Sequence, residues 1–181
     1  MPVSLTRRGA LGGIAAVALA SCGDSDRARD GKPQAGSGAG LLNSIVALEH
    51  AAVAAWTTIA EALSGDARAQ AEAIRGREIG HVKRVSALVR ELGGSPPQGR
   101  PRGEYAPTFP SLDDGAAALR FAADLEERLV RAYLDALRSL PASGQRRVAA
   151  EIAAQEAEDL AVVAVLVGEP ASQRAFVTGT S

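Results

Sequence analysis

Glu78 and His81 stand three residues apart in "REIGHVKR", a spacing that puts both on one side of a helix. Ile74, Val82 and Val85 occupy the same stripe, so a carboxylate and an imidazole are aimed at an apolar interior. Three more glutamates interrupt apolar stripes in the same way. Glu49 is flanked at i−4 and i+4 by Ile45 and Val53, Glu126 by Ala122 and Val130, and Glu156 by Ile152 and Leu160. Isolated carboxylates in such positions cost several kcal/mol each or take up protons. Bound cations offset that cost, because hard metals favour carboxylate oxygens and imidazole suits iron.

The chemistry-bearing residues recur in register. "ALEHAAVAAW" (47–56) aligns with "DLEERLVRAY" (124–133), setting Glu49 over Glu126 and Trp56 over Tyr133. "REIGHVKRVSALV" (77–89) aligns with "QEAEDLAVVAVLV" (155–167), setting Glu78 over Glu156 and His81 over Asp159. Glu49 precedes Glu78 by 29 residues and Glu126 precedes Glu156 by 30, the signature of an internal duplication. Blander roles stay open at this point. The glutamates could be boundary residues paired to Arg75 or Arg128, and His81 a hydrogen-bonded core histidine. His50, one residue past Glu49, points about 100° away and reads as a flank or interface residue. Trp56 and Tyr133 read as core filler near the site. Glu127 with Arg131, and Asp124 with Arg128, have the i, i+4 spacing of surface pairs.

Four helices must position these groups. Apolar periodicity predicts them over about 41–63, 67–92 and 113–140, with a fourth running from the "PASG" break to Gly168. Gly93-Gly94 reads as the stop of the second. The first and third connections are a few residues each, which makes two antiparallel hairpins. Between the hairpins lies the Pro- and Gly-rich "GGSPPQGRPRGEYAPTFPSLDDG". A helix of about 25 residues is roughly 37 Å long, and twenty extended residues reach roughly 65 Å, so this stretch can run the length of the bundle as a crossover. The expected class is all-α, a four-helix bundle with one long crossover between its second and third helices.

That pattern resembles the ferritin-like di-iron carboxylate superfamily, whose signature is a Glu from each of two helices and Glu-x-x-His from each of the other two. More narrowly, "LEHAAVAAW", "EIGH" and the closing "AFVTG" are similar to exported bacterial ferritin-like proteins with twin-arginine signals, some grouped with desiccation-related proteins. The resemblance implies Glu78 and Glu156 as bridging ligands, Glu49 and Glu126 as terminal ligands, and His81 on one metal. Iron is the implied metal, with manganese as the alternative. Asp159, the sixth candidate metal residue, departs from the pattern, standing where the second histidine belongs. Shorter and charged, it would reach a metal through a water or leave that site weak or empty, so the expected centre is asymmetric and tight on the His81 side. Four carboxylates balance two divalent ions, whereas a fifth calls for a higher oxidation state or a shared proton. Two functions follow: a redox protein that oxidises metal or reduces peroxide or oxygen, or a binding or structural module that has lost competent metal chemistry through Asp159.

The N-terminus adds an address. Arg7 and Arg8 precede an apolar run from Ala10 to Ala20 and then Leu19-Ala20-Ser21-Cys22. Eleven residues fall short of the roughly 20 that span a bilayer. The arginine pair resembles a twin-arginine export signal, and the Cys22 run a lipoprotein processing box. A plain secretory signal with an incidental cysteine is the alternative. The expected organisation is a signal peptide over 1–21, a flexible tether over 22–40, and a bundle with a C-terminal tail along its surface over 41–181. The mature protein would be lipid-anchored at the cell membrane through Cys22 and exposed outside the cytoplasm. Cys22 is the only cysteine, which excludes an internal disulfide. A net charge of −1 without a basic stripe argues against nucleic-acid binding. No nucleophile triad, phosphate-binding glycine loop or CxxC motif competes with the metal hypothesis.

Overall fold

A computed structural model of the chain describes residues 38–140 and 143–169. The arginine pair, Cys22, the tether up to residue 37 and the tail with its "AFVTG" lie outside the described residues. Five helices follow in order: α1 (Gly38–Ala62), α2 (Gly65–Glu91), α3 (Arg102–Tyr105), α4 (Gly115–Ser139) and α5 (Ser143–Val167). The four long ones fall where the periodicity places them, and the described residues contain no strand. α1 packs along α2, α4 along α5, and α1 along α4, with a looser seam between α2 and α5.

The helix ends follow from local chemistry. α2 stops in a Schellman turn: Gly93 N–H donates to Arg90 O and Gly94 N–H to Val89 O, both at 2.9 Å. Gly93 takes the φ of 75° that this turn requires and that a side chain would resist. α4 starts on Asp114, whose Oδ1 accepts from the Ala117 N–H at 2.7 Å. α1 begins at Gly38, earlier than the expected 41, so the last residues assigned to the tether are helical. The cause is packing: Ala39 is buried, and its Cβ lies close against Gly94.

The crossover is more ordered than its composition suggests. After Pro101, α3 and a 3₁₀ turn over Ala106–Thr108 interrupt the extended chain. Tyr105 is the anchor: its ring is buried, its hydroxyl accepts from the Arg100 N–H at 3.0 Å, and the Arg100 guanidinium lies 4.7 Å from the ring centroid. Further back, Gly99 presses its backbone onto His50, where any Cβ would come within 2.7 Å of the imidazole Nδ1. His50 thus serves the interface between α1 and the crossover, as its position on the helix predicts. Among the expected surface pairs, Glu127–Arg131 closes at 3.2 Å, and no Asp124–Arg128 ion pair forms.

The apolar interior is in two parts. One cluster gathers Trp56, Ile59, Ile74, Leu125, Leu129 and Leu160; the other gathers Leu42, Ile45, Val85, Tyr133, Leu140 and Ile152. Each fully buried Leu or Ile contributes about 1.5–3 kcal/mol. On α1, α2 and α5 the acidic positions fall between the two clusters, and on α4 Glu126 lies near the end of the first, between Leu125 and Leu129, so a polar layer crosses the bundle at mid-height.

Candidate metal centre

All six residues singled out by spacing meet in that layer. Glu49 from α1, Glu78 from α2, Glu126 from α4 and Glu156 from α5 are each 0% exposed, and His81 and Asp159 are each 2% exposed. Two groups of ligand atoms each lie within 4.8 Å of one another: Glu49, Glu78, His81 and Glu156, and Glu78, Glu126, Glu156 and Asp159. Glu78 and Glu156 belong to both groups. The duplication therefore becomes a pair of overlapping half-sites that share two carboxylates.

The electrostatics are severe. Burial, with the charges of Glu156 and Glu78, pushes the Glu49 carboxyl well above its ordinary range. Glu126 is raised in the same way by burial and then by Glu156 and Glu78, and Glu156 by burial and then by Glu78. No arginine or lysine among the described residues comes within ion-pair distance of the four glutamates, so Arg75 and Arg128 are not their partners. Glu49 Oε2, Glu126 Oε2, both oxygens of Glu78 and of Glu156, and His81 Nδ1 are buried without a hydrogen-bond partner from outside the layer. These carboxyls come within reach of one another, Glu49 of Glu78 and Glu156 of Glu78 and Glu126. Acceptors turned toward one another without donors are what a bound cation satisfies.

The remaining oxygens of Glu49 and Glu126 are held from across the bundle. Trp56 Nε1 donates to Glu126 Oε1 at 2.8 Å, and the Tyr133 hydroxyl donates to Glu49 Oε1. Each aromatic follows its own half's glutamate by seven residues and serves the glutamate of the other half. Reading Trp56 and Tyr133 as core filler missed this role. Their signal was the alignment itself, an aromatic two helical turns past each acid.

A second reciprocal pair fixes the imidazole. His81 Nε2 lies 3.1 Å from Gln155 Oε1, and Arg84 Nη1 donates to the same oxygen at 3.3 Å. A guanidinium can only donate, so Gln155 presents its carbonyl here and His81 Nε2 carries the proton in the neutral ring. Nδ1, the unprotonated nitrogen of that tautomer, lies 2.8 Å from Glu156 Oε1 and 3.6 Å from Glu78 Oε2. Two lone pairs that close repel unless they share a proton or a cation, and a carboxyl raised as Glu156 is supplies the proton in the metal-free protein.

Asp159 takes the matching position in the other half, and its partner is Arg77, which aligns with Gln155. Arg77 Nε donates to Asp159 Oδ2 at 2.9 Å and Nη2 donates to Oδ1, a bidentate fork. Burial still lifts the Asp159 carboxyl above its usual value, although Arg77 opposes it. Sequence reasoning missed Arg77, although it stands four residues before His81 on the same face and inside the motif already singled out.

A family model described as a ferritin-like domain matches residues 37–169. No curated protein matches the chain.

Proposed function

The chain belongs to the ferritin-like domain family, and from that premise we propose that Glu49, Glu78, His81, Glu126 and Glu156 hold two redox-active cations, iron foremost and manganese as the alternative. The observation that carries this is His81 Nδ1, the nitrogen that the Gln155 contact at Nε2 leaves free to coordinate in the neutral ring, 2.8 Å from Glu156 Oε1. Bound iron or manganese would supply one-electron steps toward peroxide or oxygen. The protein's part is to bind and orient. Glu78 and Glu156 are the shared ligands, Glu49 and Glu126 the terminal ones. Tyr133 and Trp56 each fix one oxygen of a terminal ligand and leave the other turned inward. The apolar clusters on either side keep bulk water from the layer.

The setting we propose is the cell envelope. Arg7-Arg8, the short apolar run and Leu19-Ala20-Ser21-Cys22 support twin-arginine export and lipid attachment at Cys22, with residues 23–37 as a tether. The nearer likeness to exported ferritin-like proteins rests on "LEHAAVAAW", "EIGH" and "AFVTG". Twin-arginine export carries folded proteins, which agrees with metal loading before translocation.

A second reading, a ferritin-like binding or structural module without redox turnover, is favoured by one observation: both Asp159 oxygens are engaged by Arg77. Metal analysis and aerobic Fe(II) addition separate the two. Redox competence predicts about two equivalents of bound metal and a near-ultraviolet absorption that grows in air and is lost in Glu78→Ala. Metal uptake without that absorption, or no uptake at all, overturns the redox reading and supports the second.

A further inference from the structure

The two halves of the layer differ at one paired position. In one, Gln155 on α5 reaches His81 on α2; in the other, Arg77 on α2 reaches Asp159 on α5. Gln155 and Arg77 align with each other, as do His81 and Asp159. Both contacts run from the residue just before a shared glutamate to the residue three after the opposite shared glutamate. A neutral pair in one half has therefore become an ion pair in the other. With His81 neutral, each pair sums to zero charge.

We infer that Arg77 is a resident counter-cation, whose charge cancels that of Asp159 and so restores the balance of four glutamates against two divalent ions. The inference rests on the two-cation reading above. Asp159 taken alone would be a fifth carboxylate at the centre, calling for a higher oxidation state or a proton. Its bidentate fork removes that demand without removing the acid. The location suits this role, because the Asp159 side chain is 3% exposed and that of Arg77 is 36% exposed. The guanidinium thus covers the acid from the solvent side of the α2–α5 seam. A guanidinium stays protonated at any working pH, which makes the cancellation permanent. Farther along the seam Arg84 pairs its charge with Glu151 at 2.5 Å while also donating to Gln155, which leaves Arg77 as the arginine whose charge is paired to an acid of the layer.

Mn(II) affinity of the full chain, followed by the electron paramagnetic resonance of the free ion at slightly alkaline pH, tests the assignment without requiring turnover. Arg77→Gln exposes the fifth carboxylate and is expected to tighten Mn(II) binding by roughly tenfold. Arg77→Lys keeps the charge, loses the fork and should stay near wild type. The double variant Arg77→Gln/Asp159→Asn restores zero charge and should also return to wild type within a few-fold. Weaker binding in both Arg77→Gln and Arg77→Lys overturns the inference, because Arg77 then positions ligands through its fork. Weaker binding in the double variant also overturns it, because Asp159 is then a ligand in its own right. Should the double variant fail to fold, the contrast between Arg77→Gln and Arg77→Lys decides alone. Wild-type protein that binds no Mn(II) or Fe(II) removes the two-cation reading itself, an outcome distinct from either of these.

Discussion

Trp56 on α1 donates its indole N–H to Glu126 on α4, although Glu49 is the buried acid of its own helix. Tyr133 on α4 answers by donating to Glu49. Glu49 and Glu126 are thereby each fixed by the opposite half, and the α1–α4 interface is tied together at the level of the acidic layer. Burial raises the Tyr133 hydroxyl well above its ordinary value and the charge of Glu49 adds to that, so it remains a donor.

Removing one of these donors strips a buried oxygen of its partner. Trp56→Phe keeps an aromatic ring in the core and is expected to cost about 1–3 kcal/mol in the metal-free protein. Metal affinity should fall by roughly 10–100-fold through loss of ligand orientation. Urea unfolding followed by circular dichroism, with and without chelator, measures the first, and Mn(II) titration the second. Unchanged affinity would show that Glu126 needs no help from Trp56.

Gln155 sets the tautomer of His81 from a half-buried position, where substitution leaves the core intact. Gln155→Leu lets the ring place its proton on Nδ1, the atom turned to Glu156. Metal affinity is expected to drop by roughly 10–100-fold with little change in the metal-free melting temperature. A drop in melting temperature without a drop in affinity would contradict the assigned tautomer.

The metal-free protein should lose stability as pH rises. Glu49, Glu126 and Glu156 have folded-state pKa values above their unfolded ones, so the native state binds more protons in the intervening range. Their contribution is fully present below the ordinary glutamate pKa and is lost as pH climbs through the raised values. Thermal melts from mildly acidic to neutral pH in chelator should show a falling melting temperature, and added Mn(II) at neutral pH should reverse it. A melting temperature that rises across that range would contradict the burial of these acids in a donor-free layer.

Stability and metal binding oppose each other at Glu156. Glu156→Gln removes one charge and adds two N–H donors beside oxygens of Glu78 that have none. At neutral pH the metal-free variant should be more stable than wild type by about 1–3 kcal/mol and should gain little from Mn(II). Ile152→Ala, one turn away in the apolar cluster, should instead lose about 2–5 kcal/mol. Destabilisation of the metal-free protein by Glu156→Gln would mean that the carboxylate is compensated within the fold.

The four long helices, the crossover and the inward direction of Glu49, Glu78, His81, Glu126 and Glu156 were legible in the chain because each is a local property. Apolar periodicity declares a helix face, and an acid on that face has nowhere to point but inward. The duplication added register, which by itself places Asp159 opposite His81. α3 escaped notice because four residues are too few to show a period, and burial of Tyr105 is what holds them. The partners of the site were not legible for a different reason. Trp56 and Glu126 are 70 residues apart, Arg77 and Asp159 82, His81 and Gln155 74, and Tyr133 and Glu49 84. Sequence alone determined which side chains enter the layer, since that depends on spacing within one helix. Only the packing of one hairpin on the other decided which oxygens are held and which are left facing each other, because a hydrogen bond requires two atoms to meet within about 3 Å.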